Sequence, residues 1–394
     1  MSLILLLTLV AVGLAYLVLE RLRLDHHRKA IPLMIAVTGT RGKTSVTRTL
    51  AAVLRESGRR VLAKTTGSEA VLIMPDGGER EIHRRGRPSI IEQKHIVRLA
   101  ADRKVDAAVI EIMSIHPENH LVEARRLLKP DLVLATNFRV DHSAALGETR
   151  DAVAAALALD VPAGARVFVP ADECLPAFRA AVQESGAELI EVPPGTASPE
   201  RGRFAVNRDL VYAAARSLGI DDEVIRRGVP RGQGDIGALR IWQYQPDMRK
   251  IPYFVVNAFA ANDPDSTKLV HEEVMAALDL EPGRCAGLLT LRPDRGDRTL
   301  QWLEALRGGF IDRFRRLYVL GLHAPALAWR LERFAGRAAV EVLRARCPAE
   351  ITQRAASGIE EAGGAVFGFG NIVGLGAELV AHWSEAGEPW EVEG

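Results

Sequence analysis

Cysteine is scarce in this sequence of 394 residues, and net charge is almost absent. The three cysteines, at positions 174, 285 and 347, form no CxxC pair, which excludes a cysteine-based zinc site and suits a reducing compartment. Lysine and arginine total 51 against 50 aspartates and glutamates, so no overall positive field attracts nucleic acid. Solenoid repeats and low-complexity tracts are missing too. The length and the 48% hydrophobic content therefore indicate two or three globular domains with sizeable cores.

One apolar run, from Leu3 to Leu19, departs from this average because it carries no charged side chain. As a helix it rises about 25 Å, and extension to Leu24, with Arg21 and Arg23 reaching the head groups, matches a hydrocarbon core of about 30 Å. Basic residues follow the run rather than precede it, which favours a membrane anchor over a cleaved signal peptide. The positive-inside rule then predicts a single pass through the cell membrane, with the domains after Arg21 in the cytoplasm.

After this run, short apolar segments alternate with helical patterns, which predicts α/β domains with mainly parallel sheets covered on both faces. The predicted strands are Leu33–Val37, Val61–Thr65, Val105–Ile112, Leu132–Thr136, Arg166–Val169, Tyr253–Phe259, Ala286–Leu291, Leu317–Leu320, Val340–Leu343 and Ala365–Phe369. Glycines and prolines from Gly228 to Pro246 indicate a linker. We therefore predict an anchor helix at 1–24, a central domain at 25–235 and a smaller Rossmann-like α/β domain at 236–394.

The first predicted strand runs directly into a glycine loop that opens a helical pattern. The loop residues are Thr38, Gly39, Thr40, Arg41, Gly42, Lys43, Thr44 and Ser45. Backbone N–H groups of such a loop bind phosphate oxygens, Lys43 is expected to reach the β- and γ-phosphates, and the Thr44 hydroxyl is expected to meet Mg²⁺. The general P-loop pattern has glycine where this chain has Val37. The order of strand, loop and helix nevertheless predicts a nucleotide site.

Two further polar segments follow strands of the same predicted sheet. Within the predicted strand Val105–Ile112, the apolar run from Val105 to Ile110 is followed by Glu111. The next strand is followed by a loop that contains Asp141 and His142. A carboxylate that closes an apolar strand needs a cation or hydrogen bonds, and ligands of open α/β sheets bind at the carboxyl ends of the strands. Glu111 and His142 are therefore candidate metal ligands. The alternative is a helix-capping Asp141 beside a surface histidine.

Together these motifs resemble the Mur-ligase superfamily and, within it, the PgsB/CapB family of poly-γ-glutamate synthase ligase subunits. Thr38–Thr44 is similar to the superfamily's TGTxGKT, and Asn137 with Asp141-His142 is similar to its TNxxxDH. The likeness to PgsB/CapB includes the terminal anchor, Lys64–Gly67, Arg84–Arg87, Glu92-Gln93 and Phe259–Thr267. The implied fold is a P-loop Mur-ligase-like ATP-binding central domain followed by the smaller second domain.

The resemblance also implies roles for individual residues. It implies that Thr38 to Ser45 bind ATP, that Thr44, Glu111 and His142 hold Mg²⁺, and that Lys43, Glu111 and His142 are catalytic. Asn207 is similar to an asparagine that contacts adenine, and Asn257 opens a variant of the superfamily's DYAHNP segment, which makes it a second nucleotide-binding candidate. Asn262 and Asp263 of that segment are substrate-binding candidates.

The basic run of Arg84, Arg85 and Arg87 has two interpretations. Such runs are commonly solvated loops, but guanidinium groups also match carboxylates of a glutamate chain, so these arginines are substrate-binding candidates. Many relatives carry a carbamylated lysine at the position that aligns with Leu157. Leucine cannot be carbamylated, so we expect activity that does not depend on bicarbonate.

The activity implied by the resemblance is ATP-dependent amide ligation. ATP phosphorylates a terminal carboxylate of growing poly-γ-glutamate, and the amine of the next glutamate displaces phosphate. ATP and Mg²⁺ are the expected cofactors. The expected partners are small membrane subunits of the synthase and export complex. We also expect a homo-oligomer, and we expect no binding of nucleic acid.

Three alternatives remain at this point. A folylpolyglutamate synthetase shares the chemistry, but it is normally soluble. A ligase for cell-wall precursors is disfavoured because resembling proteins carry a four-cysteine ribbon. A membrane-anchored P-loop nucleotide switch specific for guanine would have NKxD, which Thr136–Asp141 does not match.

Overall fold

Alternating strands and helices build two separate sheets. The computed structural model describes residues 2–66, 70–84, 86, 88–195, 205–232, 239–245, 251–261, 263–281, 283–293, 296–332, 339–359 and 363–390. The chain divides into a first unit, Met1–Asp235, and a second unit, Ile236–Gly394, each with its own sheet. The functional assignment of residues 1–24, 25–235 and 236–394 to an anchor, an ATP-binding domain and a second domain stays a prediction.

The sheet of the first unit has eight strands in the order β4-β3-β2-β5-β1-β6-β7-β8. They are β1 (Leu33–Thr38), β2 (Val61–Thr65), β3 (Val71–Ile73), β4 (Glu79–Glu81), β5 (Ala107–Glu111), β6 (Leu132–Ala135), β7 (Arg166–Pro170) and β8 (Glu188–Val192). All neighbouring strands pair in parallel except β3 and β4, which add an antiparallel edge. The central strands are buried on both faces, which explains their continuous apolar runs.

Helices cover both faces of this sheet. They are α1 (Ser2–Lys29), α2 (Lys43–Glu56), α3 (Glu92–Asp102), α4 (Pro117–Val122), α5 (Ser143–Leu146), α6 (Arg150–Leu157), α7 (Pro176–Ser185), α8 (Ala205–Ser217) and α9 (Asp222–Arg231). A π-helical turn, Glu123–Leu128, continues α4, and a 3-10 turn, Ala158–Asp160, continues α6. In α2 the apolar face, with Val46, Leu50 and Val53, is fully buried against the sheet.

Helix α1 differs from the predicted anchor at its C-terminal end. It continues to Lys29 rather than ending at Leu24, because Arg28 donates hydrogen bonds to the carbonyls of Leu128 and Lys129 and so fixes the last turns on the domain. Leu24 is only 6% exposed and belongs to a core cluster, whereas the apolar part before it is exposed. By length and composition α1 is able to cross a membrane.

The second unit has seven strands in the order β13-β12-β11-β14-β10-β9-β15. They are β9 (Arg240–Tyr244), β10 (Tyr253–Asn257), β11 (Cys285–Thr290), β12 (Arg316–Leu320), β13 (Ala339–Val342), β14 (Gly364–Phe369) and β15 (Glu388–Trp390). Its helices are α10 (Pro264–Ala277), α11 (Gly296–Arg307), α12 (Ala324–Glu332), α13 (Pro348–Ala356) and α14 (Leu375–Ala386), with a 3-10 turn at Phe310–Arg313. Neighbouring strands pair in parallel except that β9 pairs antiparallel with both β10 and β15. The predicted α/β class with mainly parallel sheets is confirmed in both units.

Candidate active site at the phosphate-binding loop

The glycine loop follows β1, the strand that pairs with both β5 and β6 in the middle of the first sheet. Gly39 and Gly42 have φ angles of 124° and 79°, which glycine adopts readily and other residues rarely do. A Cβ on Gly39 would lie 2.0 Å from the Thr136 Oγ1, so only glycine fits there. Val37, at the place of the missing P-loop glycine, is buried in β1 beside Glu111 and Leu134. The loop therefore keeps its open turn without that glycine.

Asn137 fixes the shape of the loop. Its Oδ1 accepts hydrogen bonds from the Thr40 hydroxyl at 2.7 Å and the Arg41 N–H at 3.2 Å, and its Nδ2 donates to the Arg41 carbonyl at 3.0 Å. Thr136 adds a hydroxyl bond of 2.6 Å to the same carbonyl, and the Arg41 guanidinium lies 3.1 Å from the Asp141 carboxylate. The segment that resembles TNxxxDH thus holds the backbone of the phosphate loop in place.

Lys43 lies at the start of α2, with its ammonium group folded over the loop. The Nζ donates a hydrogen bond of 2.7 Å to the Gly39 carbonyl. The residue as a whole is half-buried, but protein atoms enclose its amine. This burial lowers the pKa of Lys43, and the nearby Glu111 carboxylate opposes the shift. The ammonium is therefore positioned where a phosphate bound by the loop would meet it.

Thr44 and Glu111 form the oxygen-rich part of the site. The Thr44 hydroxyl donates to the Glu111 Oε2 at 2.9 Å, and the same oxygen accepts the Thr66 N–H at 2.9 Å. Hydroxyl and carboxylate oxygens are the donors that Mg²⁺ prefers, and this ion keeps several water or phosphate ligands. The pair therefore fits Mg²⁺ held together with substrate phosphates. No group of three or more His, Cys, Asp or Glu side chains that could hold a metal is found in the described ranges.

His142, the third predicted metal ligand, is the N-cap residue before α5 and has a φ of 49°. Its backbone N–H is bonded to the Asp141 carboxylate at 2.9 Å. The contacts of Glu111 are with Thr44 and Thr66, so the described part of the site does not bring His142 and Glu111 into direct contact. The role of His142 at a metal stays a prediction.

The two predicted nucleotide-binding asparagines have different surroundings. Asn207 lies directly over the loop, since a Cβ on Gly42 would come within 2.6 Å of its Nδ2. Asn257 ends β10 in the second unit, is fully buried, and accepts the Phe259 N–H at 3.3 Å through its Oδ1. Asn207 therefore packs directly against the phosphate loop, whereas the observed bond of Asn257 stabilises its own turn, and nucleotide binding by both residues stays a prediction.

Of the predicted substrate-binding residues, Arg84 and Asp263 are in the described part of the chain. Arg84 donates two hydrogen bonds of 2.8 Å to the Glu92 carboxylate, and this pairing raises the pKa of Arg84. Asp263 caps α10, where its side chain accepts the Ser266 N–H at 2.9 Å. Arg85, Arg87 and Asn262 lie outside the described residues.

Two buried polar networks beside the site were not predicted. In the first, the fully buried Lys64 lies 2.5 Å from Glu92 and 3.1 Å from the Gln93 Oε1. Burial lowers the pKa of Lys64, and the Glu92 carboxylate works against that shift. Gln93 then donates to Glu123, which accepts the backbone N–H groups of the loop after Glu111. This network holds the segment that follows the candidate metal ligand.

The second network lies under the phosphate loop. The Asp160 carboxylate, which is fully buried, accepts a hydrogen bond of 2.5 Å from the Thr38 hydroxyl and contacts the His120 Nδ1 at 2.9 Å. Burial favours the neutral form of His120, but the neighbouring Asp160 outweighs it and raises the pKa of His120. The only signal in the sequence is a charged residue within the apolar segment Leu157–Val161. Leu157 itself is 2% exposed in the same core.

The chain matches two family models in succession. The Mur ligase middle domain matches residues 37–207, and the poly-gamma-glutamate synthase CapB C-terminal domain matches residues 243–386. The capsule biosynthesis protein CapB of Bacillus anthracis is 32% identical over 283 residues, which cover 69% of this chain and 60% of that protein. The PGA synthase CapB of Bacillus subtilis (strain 168) is 30% identical over 300 residues, which cover 74% of this chain and 76% of that protein.

The fold is also similar to that of solved structures. A bifunctional folylpolyglutamate synthase/dihydrofolate synthase from Yersinia pestis, complexed with AMPPNP and Mn ion, has a TM-score of 0.66, with coverage of 93% of this chain and 91% of that chain. At 17% identity this likeness concerns the fold alone. The matched length of the Bacillus subtilis relative, the two family models and the motif residues agree: the chain belongs to the CapB family of Mur ligases.

Proposed function

We propose that this protein is an ATP-dependent amide ligase that extends poly-γ-glutamate. The observation that carries the proposal is the site of Lys43, Thr44 and Glu111 on a phosphate-binding loop, in a chain that carries both the Mur ligase and the CapB segments. The relatives are named a capsule biosynthesis protein and a PGA synthase, and the matched segment spans less than two thirds of the Bacillus anthracis protein.

The proposed reaction has two steps. The γ-phosphoryl group of ATP is transferred to a carboxylate oxygen at the end of the polymer, and ADP leaves. The amine nitrogen of the next glutamate then attacks the acyl carbon, loses a proton, and expels inorganic phosphate as the γ-linked amide forms. Charge develops on phosphate oxygens in the first step, and fixed cations and N–H groups stabilise it.

The residues of the loop have distinct tasks in the first step. The loop N–H groups bind the phosphates, and the Lys43 ammonium exchanges its bond to the Gly39 carbonyl for phosphate oxygens. Thr44 and Glu111 would hold Mg²⁺, which when bound neutralises phosphate charge, and His142 would orient a second ion. A Mur-ligase-like structure with AMPPNP and Mn supports ATP and a divalent metal as the expected ligands. Asn207 would contact the nucleotide from above Gly42, and Asn257 is a second candidate.

Substrate contacts are proposed for Arg84, Arg85, Arg87, Asn262 and Asp263. Glutamate and the growing chain carry carboxylates, which guanidinium groups bind well. The Arg84 guanidinium is already paired with Glu92, so a substrate carboxylate would have to share or displace that partner. We further propose a single membrane pass at α1, cytoplasmic catalytic units, small membrane subunits as partners, and a homo-oligomer.

The rival activities differ in acceptor. A folylpolyglutamate synthase would extend a folate, a cell-wall ligase would extend a precursor peptide, and a nucleotide switch would not use glutamate at all. The test supplies membranes that contain the full chain with ATP, Mg²⁺ and labelled glutamate. The proposal expects labelled polymer that resists peptidases specific for α-linkages. Label that enters only a folate added to a parallel sample, or nucleotide turnover that is indifferent to glutamate, would contradict it.

A further inference from the structure

We propose that the carboxyl edge of the first unit's sheet, where the phosphate loop lies, faces the membrane surface. The carboxyl edge is the side of the sheet at which β1, β5 and β6 end, and the amino edge is the side at which they begin. The inference rests on the proposed membrane span of α1. It adds an orientation that the span alone does not determine.

The C-terminal end of α1 packs against the first unit and is not joined to it by a flexible linker alone. Leu24 is 6% exposed within the core cluster of the first unit. The Arg28 guanidinium donates to the carbonyls of Leu128 and Lys129 at 2.7 and 2.8 Å and lies 2.7 Å from the Asp131 carboxylate. A helix held by buried apolar and polar contacts continues in a fixed direction, so the domain sets the direction of the span.

The contacts along α1 give that direction. Arg28 binds residues just before β6, and the chain after Lys29 soon enters β1, so this end of α1 lies at the amino edge. Glu20 lies 2.9 Å from the Lys94 Nζ, and Lys94 is in the first turn of α3. Because α3 leads into the start of β5, its first turn points towards the carboxyl edge. From Lys29 back to Glu20, α1 therefore runs from the amino edge towards the carboxyl edge.

Lengths place the membrane near that edge. Nine residues of helix rise about 14 Å, and the six residues of β1 span about 20 Å. The helix thus reaches most of the height of the sheet at Glu20, and the segment Leu3–Leu19 projects about 25 Å beyond it. That segment is exposed and apolar throughout, as a lipid-embedded helix requires.

The exposed apolar side chains of the first unit agree with this orientation. Outside α1, the large ones in its described residues are Ile91, Ile115, Val122 and Val140. Ile91, Ile115 and Val140 are 62%, 40% and 42% exposed, and all three lie in loops at the carboxyl edge. Single exposed apolar residues are ordinary, but their position on one edge is what a surface near lipid head groups would have. The site would then release its anionic chain within reach of the membrane.

Distance from the bilayer tests the proposal. The full chain with Cys347→Ser, which removes the one exposed cysteine of the three, is labelled with a donor fluorophore at single new cysteines and reconstituted in nanodiscs with acceptor-labelled lipid. Ser89→Cys and Glu118→Cys report on the carboxyl edge, and Arg103→Cys and Gln183→Cys report on the amino edge; all four positions are exposed. Since the edges are about 20 Å apart, energy transfer should be at least about twofold higher from the carboxyl-edge labels.

Equal transfer from both edges, or higher transfer from the amino edge, would overturn the orientation. Failure of the chain to enter the bilayer would overturn both the span and the orientation. Neither result touches the proposed ligase, which glutamate-dependent phosphate release from the same samples reports separately. Insertion of a flexible Gly-Ser segment between Leu19 and Glu20 should abolish the difference between the edges. A persistent difference would overturn the claim that docking of α1 sets the orientation.

Discussion

At the scale of single residues, the site depends on side chains that hold one another. The Glu111 carboxylate accepts both the Thr44 hydroxyl and the Thr66 N–H, so its position depends on both neighbours. Asn137 and Asp160 act indirectly, because each fixes backbone or hydroxyl groups of the phosphate loop. Lost activity in variants of these two residues would therefore arise from a displaced loop rather than from lost chemistry.

Glu111→Gln should raise the Mg²⁺ concentration needed for half-maximal turnover by roughly tenfold, because the amide keeps the size of the side chain but not its charge. His142→Ala should raise it as well if the histidine orients a second ion. Turnover is titrated with Mg²⁺ at saturating ATP, and Glu118→Gln, an exposed acid nearby in the chain, is the matched control. An unchanged midpoint in either variant would return that residue to a structural role.

At the scale of elements, helix α9 packs unusually close to α2, the helix that begins with Lys43. A Cβ on Gly228 would lie 2.6 Å from the Val53 Cα, and a Cβ on Gly232 would lie 2.4 Å from the Thr49 Cα. Backbone atoms cannot move aside as a flexible side chain can. The close approach therefore ties the phosphate-loop helix to the helix that precedes the linker.

Gly228→Ala and Gly232→Ala should each lower the free energy of unfolding by about 1–3 kcal/mol, because the added methyl group forces the two helices apart. Gly296→Ala is the matched control, since a Cβ there has no neighbour within 4 Å. Urea unfolding followed by circular dichroism measures the difference. Stability equal to that of the control would show that the two helices separate at no cost.

The aromatic core of the second unit contains a histidine in place of an apolar residue. His271 is 5% exposed and packs edge-on against Phe310, Phe314 and Phe367. Its ring nitrogens have no hydrogen-bond partner among the described residues. Burial lowers the pKa of His271 to about 4, and Arg313 adds to the shift. The folded protein therefore holds this imidazole in its neutral form.

Because the folded pKa lies below the ordinary value, protonation favours the unfolded chain, and stability is lost as the pH falls from about 6.5 towards 4. Relative to His271→Leu, the wild-type protein should lose on the order of 3 kcal/mol over that interval. Unfolding of both proteins is compared at pH 7 and pH 4. Parallel loss of stability in the two proteins would mean that His271 titrates normally.

The sequence predicted the strands that are buried on both faces, because such strands have continuous apolar runs. It missed β3, β4 and β8 of the first sheet and β9 and β15 of the second: β4 is wholly exposed, β3 and β15 are only three residues long, and β8 and β9 are partly exposed, so their composition carries little signal. The same limit applies to the site. Lys43, Thr44 and Glu111 were predicted because each follows a strand or opens a helix. Asp160 was not, because its bond to Thr38 joins residues 122 positions apart.

At the scale of the whole molecule, α1 is both a membrane-span candidate and part of the first unit. Deletion of the whole predicted anchor, residues 1–24, would remove Leu24 from the core and Glu20 from its pair with Lys94. The earlier boundary, after Leu19, leaves both in place. In the structure, the exposed segment that could span a membrane therefore ends at Leu19, and the segment that packs on the first unit begins at Glu20.

A chain that begins at Glu20 should be soluble and should keep all core contacts of the first unit. A chain that begins at Asp25 should have a free energy of unfolding about 1.5–3 kcal/mol lower, because it lacks the buried Leu24. Thermal unfolding and nucleotide binding of the two truncated proteins are compared. Equal stability would show that Leu24 does not contribute to the core, and insolubility of the longer protein would show that the apolar segment has a structural partner.

As a ligase, the protein would couple ATP hydrolysis to amide formation at the Lys43 loop. The direct test counts phosphate released and glutamate incorporated by the full chain in membranes, with Lys43→Ala beside it and Arg98→Ala as an exposed cationic control. We expect one phosphate per amide bond, dependent on glutamate, with both rates lower by about 100-fold or more in Lys43→Ala and unchanged in the control. Phosphate release that ignores glutamate, or a folded Lys43→Ala protein with near wild-type rates, would contradict it.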